Sequence, residues 1–270
     1  MPTGDFVIGA DGKLVIKVGP WAKDKLFYIG RYCYIFNAGM KNKWPIRTYI
    51  DLFAGPGRCL IEGTREEIDG SPLIALKCEV PFTHYFFNDI EPSLIESLQA
   101  LAKPFDFVTI SYFSGNCNEI INDLVQKLPS DSLDFCFIDP TNWQINFDSI
   151  RRLTEKRQMD LAVTFHVGGM KRAANKPPQD LLDFFPDSSW QQEYEDARKM
   201  HRSTGRVLLD AYEQGLRNLG YVGIKDYVLE TNRRNVPLYH LIFASKHPKG
   251  AEFWDKIAGR SEAGQFRMAM

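Results

Sequence analysis

The sequence predicts an α/β protein built on a mostly parallel, seven-stranded sheet whose last strand runs antiparallel. Three observations predict it. Short apolar runs alternate with amphipathic stretches from residue 47 onward, the rhythm of βαβ units. The first apolar run ends directly in a glycine turn, Gly55-Pro56-Gly57. Two closing strand-like segments are joined by residues 232–237, too short a link for a parallel crossover, so they pair antiparallel.

The elements follow in order. Residues 5–18 alternate polar and apolar around Asp11-Gly12, a hairpin signal that Pro20 ends. Residues 21–40 read as a helix with Leu26, Ile29, Tyr32, Cys33 and Phe36 on one face, and Pro45 marks the next break. Residues 1–46 are therefore expected as a hairpin-and-helix extension, and 47–270 as the main domain. Strands are expected at 47–53, 84–88, 107–113, 133–138 and 160–167. Helices are expected at 71–78, with Ser71 at the cap and Pro72 at the first position, and at 92–102, 118–128 and 148–156. Residues 168–204 are polar, carry Pro177-Pro178 and Pro186, and read as an insertion after the fifth strand with some helix around 190–201. A helix over 204–219, stopped by Gly220, precedes strands at 223–231 and 238–245.

With 270 residues, 44% hydrophobic and 25% charged, the chain suits one large domain or one domain with an appendage. A formal net charge of −1 excludes a whole-molecule basic field, so nucleic-acid contact needs a local patch. The candidates are Arg151-Arg152, Lys156-Arg157, Lys171-Arg172, Lys176, Arg198-Lys199, Arg202, Arg206 and Arg233-Arg234. Cys33, Cys59, Cys78, Cys117 and Cys136 form no CxxC pair, which argues against a disulfide framework or a cysteine metal centre. His84, His201, His240 and His247 show no metal-ligand spacing. Residues 1–10 show no basic leader before an apolar core, and no apolar run reaches the length of a membrane span. The expected setting is the cytoplasm.

Four motifs stand where strands end. In Asp51-Leu52-Phe53-Ala54-Gly55-Pro56-Gly57, the turn of Phe53, Gly55, Pro56 and Gly57 is expected to line a cofactor, its exposed amides holding a carboxylate, and Asp51 or a nearby carbonyl can accept from an ammonium. Residues 58–70 then delay the helix, as a loop over the ligand or a solvated excursion; Ser71 and the first helical amides are further contacts. In Asn88-Asp89-Ile90-Glu91-Pro92, Asp89 is placed to accept from ribose hydroxyls with Ile90 beside it, while Glu91 reads as a helix N-terminal charge. Asn116 offers an amide oxygen to an adenine amino group, or caps a helix. In Phe137-Ile138-Asp139-Pro140-Thr141-Asn142-Trp143, Asp139 can align an acceptor and take its proton. Asn142 can orient that acceptor, and Trp143 can stack on it or serve as a core aromatic. His166 at the end of the fifth strand reads as a structural edge histidine. Together these define a site for S-adenosylmethionine on a Rossmann-like, class I methyltransferase fold, whose seventh strand is inserted antiparallel.

The sequence resembles the three-Cys-motif partner (TcmP) family. The resemblance rests on Tyr49-Ile50-Asp51-Leu52-Phe53-Ala54-Gly55-Pro56-Gly57, Gly70-Ser71-Pro72-Leu73-Ile74-Ala75-Leu76 and Phe137-Ile138-Asp139-Pro140. It extends to Phe243-Ala244-Ser245-Lys246-His247-Pro248 and Phe253-Trp254. It implies a methyltransferase-like fold and a partner bearing the three-cysteine motif, a radical S-adenosylmethionine-type protein. Asp139-Pro140 is also similar to the motif of methyltransferases acting on base amino groups. There a second proline and an aromatic follow; here Thr141 intervenes and the aromatic falls at Trp143. A cofactor- or partner-binding module without turnover, docking through 168–204, and a nucleotide-binding oxidoreductase are the competing readings.

Overall fold

The structure, a computed structural model, describes residues 5–258. It opens with the antiparallel pair β1 (Phe6–Ile8) and β2 (Leu14–Val18), then α1 (Ala22–Met40). The expected apolar face of α1 is the one that packs: Leu26, Ile29, Tyr32, Cys33 and Phe36 are all buried. β3 (Arg47–Asp51) is buried along its whole length, as a parallel strand covered on both faces must be.

The segment after the glycine turn is not a loop. It holds β4 (Arg58–Ile61) and β5 (Glu67–Asp69). β4 runs parallel to β2 and antiparallel to β5, giving a second, four-stranded sheet in the order β1-β2-β4-β5. Cys59 and Ile61 point inward and Arg58 and Leu60 are half-buried, so the strand alternation is present. Its partner lies in the N-terminal hairpin, which local pattern cannot reveal. The excursion closes on itself, because Gly70 N donates to the Gly57 carbonyl at 2.8 Å. α2 (Ser71–Leu76) therefore begins where the glycine turn leaves off. The cap of α2 is Gly70, not Ser71. The Ser71 hydroxyl is drawn instead to the buried Asp51 carboxylate, which needs donors.

β6 (His84–Asp89), α3 (Pro92–Ala102), β7 (Thr109–Ser114), α4 (Cys117–Lys127), β8 (Leu133–Ile138), α5 (Phe147–Thr154) and β9 (Gln158–Phe165) follow in the expected order. The next segment carries three helices where one was expected: α6 (Val167–Ala173), α7 (Gln179–Phe184) and α8 (Trp190–Lys199). Its lysines and arginines mask an apolar side, for Met170, Leu181, Phe184, Phe185 and Trp190 are buried in the main core. α9 (Thr204–Asn218), β10 (Gly223–Thr231) and β11 (Pro237–Ser245) complete the pattern, and α10 (Pro248–Ala258), which local pattern had not marked, packs on α1.

The central sheet runs β10-β11-β9-β8-β3-β6-β7. Its neighbours are parallel except at β11, which is antiparallel to both β9 and β10. This is the expected Rossmann-like order with an inserted antiparallel strand. One face is covered by α1, α2, α3 and α10, the other by α4, α5 and α7 to α9. The chain leaves β3 toward β6 and later returns on its other side at β8. That reversal is a topological switch point at the carboxyl ends of β3 and β8, the place where ligands of such sheets bind. Among the described residues no helix is long and apolar enough to cross a membrane.

Candidate active site

The carboxyl edge of the sheet brings the first two motifs together. Gly55 N donates to Asp89 Oδ2 at 2.9 Å, joining the turn after β3 to the end of β6. Gly55 has φ of +59° and Gly57 of +87°, a left-handed backbone that favours glycine. A Cβ built on Gly55 meets nothing within 4 Å, whereas one on Gly57 would press on Leu98 at 2.9 Å. The space over Gly55 is thus open, and Gly57 is needed for packing.

Asp51 lies beneath this turn, fully buried. It accepts from Ser71 Oγ at 2.6 Å, Phe53 N at 3.2 Å and the Tyr49 hydroxyl at 3.3 Å. Burial pushes its carboxyl up to about 7, against those three donors. Asp51 and Ser71 therefore organise the turn from within, and Phe53 packs against the core.

Asp89 is half-buried. Its Oδ1 accepts from Glu91 N at 3.1 Å, so each oxygen keeps a lone pair for a further donor. Burial raises its carboxyl, and the surrounding backbone amides oppose that rise. Ile90 beside it is 62% exposed, an apolar side chain at a ligand-facing strand end. Asn116 acts as the cap of α4, its Oδ1 accepting from Asn118 N at 3.0 Å. Asn88 ties these loops together: its Nδ2 donates to Leu52 O and Gly115 O, each at 3.1 Å, and its backbone carbonyl accepts from Ala54 N at 2.8 Å. Nothing in its local sequence distinguished it from an ordinary strand-end residue.

The fourth motif meets a residue that the sequence reading left aside. Lys25, on the first turns of α1, donates to Asp139 Oδ2 at 2.5 Å. Lys25 is buried and the Asp139 side chain is 25% exposed. Asp139 Oδ1 makes no hydrogen bond among the described residues. Asn142 is exposed, and its backbone N–H approaches Gln144 Oε1 at 3.4 Å. Trp143 packs against the core with its Nε1 buried and unpartnered among the described residues. Lys25 is separated from Asp139 by most of the sheet's sequence, so no spacing rule could pair them.

Beside Asp139, three rings form a stack. His166 lies on Tyr239 at 4.3 Å between centroids, and Tyr239 lies on Trp21 at 5.0 Å. Burial and the nearby Arg172 push His166 below its ordinary value. Trp21 immediately precedes α1, so the ring stack, the Lys25–Asp139 pair and a Lys23–Glu66 pair of 2.5 Å all pin the start of that helix over the edge. The described residues contain no cluster of histidine, cysteine or carboxylate side chains able to hold a metal ion.

A scan against family models matches none, and a search of curated proteins returns no match. Solved structures do match. Protein LPL1258 from Legionella pneumophila str. Philadelphia 1 gives a TM-score of 0.51 at 11% identity, over 86% of this chain and 89% of that one. Trm1 from Pyrococcus horikoshii, solved in complex with S-adenosyl-L-methionine, gives 0.50 at 16% identity, over 98% of this chain and 66% of Trm1. WbdD gives 0.47 at 14% identity over 83% of this chain, which spans 40% of WbdD's length. At such identities the likeness to LPL1258 and Trm1 establishes the fold alone, a Rossmann-like class I arrangement with an inserted antiparallel strand.

Proposed function

We propose that the chain is an S-adenosylmethionine-dependent methyltransferase with its cofactor seated between the turn after β3 and the end of β6. The observation that carries this is the Gly55 N to Asp89 Oδ2 contact of 2.9 Å beneath open space over Gly55. The residues present fit the group. The free lone pairs of Asp89 suit ribose hydroxyls, and the exposed Ile90 suits one face of an adenine. The amides of Phe53, Ala54 and Gly55 are engaged by Asp51, Asn88 and Asp89 and Pro56 has none, which leaves Gly57 N as the turn's donor to a carboxylate. Bound S-adenosylmethionine supplies an electrophilic methyl group on sulfur.

The chain's own part is to hold the acceptor and receive its proton. Lys25 fixes Asp139 through Oδ2, which leaves Oδ1 to accept a hydrogen bond from an N–H or O–H acceptor and then its proton. Asn142, exposed beside it, is the orienting group in this reading. Trp143 packs against the core behind this loop. With Asp51 and Ser71 buried under the turn, their role is support rather than contact. Asn116, whose oxygen already caps α4, has one lone pair left for an adenine amino group.

The resemblance to the three-Cys-motif partner family adds a partner of that cysteine-rich type, docking through α6 to α8. Copurification of the two proteins, lost when the exposed face of α8 is altered, tests it. The cofactor reading is tested by thermal shift with S-adenosylmethionine, its demethylated product, NAD and ATP. At about a hundred times Kd a ligand stabilises by about 2.7 kcal/mol. The two sulfur ligands are expected to shift the melting temperature and the other two to leave it unchanged.

A further inference from the structure

We propose that Lys171, Arg172, Lys176, Arg233 and Arg234 form a rim that binds the phosphate backbone of a nucleic-acid strand and lays it across the carboxyl edge of the sheet, beside Asp139. The use of that strand as methyl acceptor rests on the function proposed above; its binding does not.

Two separate segments supply the rim, and the fold brings both to one edge. His240 of β11 pairs with Phe165, the last residue of β9. Residues 237–239 and the turn at 232–236 therefore rise beyond the carboxyl end of the sheet. That turn is built rather than loose: Asn232 N donates to Val236 O at 2.9 Å, and Asn232 Oδ1 accepts from Arg234 N at 2.9 Å and Val236 N at 3.0 Å. It presents Arg233 and Arg234 to solvent. α6 starts one residue after β9 and lies against the same strand, for a Cβ on Gly168 would fall 2.8 Å from Leu238 Cδ2. Lys171 and Arg172 sit in its last turn, and Lys176 follows.

The charges of this rim are unanswered among the described residues, as are those of Lys156 and Arg202, whereas the other cations singled out in the sequence are paired. Arg151 and Arg152 pair with Asp148, Arg157 with Asp134, Arg198 with Glu195, and Lys199 with Asp196. Arg206 is held by Asp210, Glu213 and Asp226. Among the described residues, Lys171, Arg172, Lys176, Arg233 and Arg234 make no ion pair. In a chain of net charge −1, that is a local excess of free cations. Arg172 is near enough to disfavour a proton on His166, so one charge of the rim reaches the His166 end of the stack, while Glu230, Asp139 and Glu62 act on Tyr239 with the opposite sign. Unpaired cations drawn from two segments along one edge of the sheet suit the regularly spaced phosphates of a strand, rather than an acidic peptide or a lipid surface.

The test is fluorescence anisotropy with labelled single-stranded RNA, single-stranded DNA of the same sequence, and the DNA duplex, each across a salt series. Phosphatidylserine vesicles form a further arm. Binding is expected to weaken with salt with a log–log slope of up to about 3.5 on a single strand. Arg233→Ala with Arg234→Ala, and separately Lys171→Ala with Arg172→Ala, are expected to weaken binding about tenfold or more and flatten the slope. Arg151→Ala with Arg198→Ala, which removes the same charge from paired positions, is expected to change it less than about twofold. Arg233→Lys with Arg234→Lys retains binding and guards against a folding defect. No binding of any nucleic acid at low salt, equal losses in the paired-charge control, or binding to vesicles alone overturns the proposal. Strand binding without S-adenosylmethionine binding keeps it and removes the methyl-transfer reading; the reverse result does the opposite.

Discussion

The Lys25 ammonium lies 2.5 Å from Asp139 Oδ2, so the first turns of α1 are fastened to the loop that follows β8. Asp139→Ala leaves a buried ammonium without its carboxylate, and should cost about 1–3 kcal/mol in urea denaturation. Lys25→Met keeps the apolar stem and should cost less. The double variant should show a coupling energy of about 1 kcal/mol or more, and independence of the two substitutions would contradict the pairing. Neither single variant should alter S-adenosylmethionine affinity by more than about twofold, since both residues face the acceptor; transfer should fall in both.

Gly55 and Gly63 share a backbone problem and differ in place. Both have positive φ, +59° and +74°, with nothing within 4 Å of an added Cβ. Alanine at either site should therefore cost about 1–2 kcal/mol through the left-handed backbone alone. Gly55→Ala should also lower cofactor affinity about tenfold or more, because its methyl enters the open space over the turn. Gly63→Ala, at the tip between β4 and β5, should leave affinity intact. Calorimetric titration of both variants separates strain from obstruction.

Asp160 makes the protein sensitive to pH from the opposite edge of the sheet. Burial pushes its carboxyl up to about 6, against hydrogen bonds with Ser245 and the Tyr32 hydroxyl, the latter at 2.6 Å. An unfolded aspartate titrates near about 3.9. Between about pH 4 and 6 the folded chain holds a proton that the unfolded chain has lost, so stability falls as pH rises through that window. Asp160→Asn cannot ionise and keeps an oxygen for Tyr32. Its stability relative to the parent should improve by on the order of 2 kcal/mol between about pH 4 and 7. A flat difference across that range would show that Asp160 titrates normally.

The strand order and the first two motifs were legible because they are local. Hydrophobic runs, the glycine turn and the short link at 232–237 each carry their own signal, and the hairpin at the end fixed the antiparallel β11. What escaped reading was non-local. β4 and β5 are short strands whose partner, β2, belongs to the N-terminal hairpin. α6 and α7 are brief helices whose apolar residues are diluted by lysines, arginines and prolines. Ser71 looked like a cap because it precedes a helical proline; its hydroxyl goes to Asp51 because a buried carboxylate outbids a helix end that Gly70 already starts. Lys25 lies in no motif and Asn88 opens one without a role of its own; both become site residues only through the sheet that gathers them.

The central claim is that Asp89 and the turn at Gly55 together hold an adenosyl ligand. Isothermal titration of S-adenosylmethionine into the parent, Asp89→Asn and Glu91→Gln tests it most directly. The account predicts one site in the parent, a Kd about tenfold or more higher in Asp89→Asn, where a charged acceptor of hydroxyl hydrogen bonds is lost, and a Kd within about twofold in Glu91→Gln. No binding by the parent, or equal effects of the two substitutions, would contradict it.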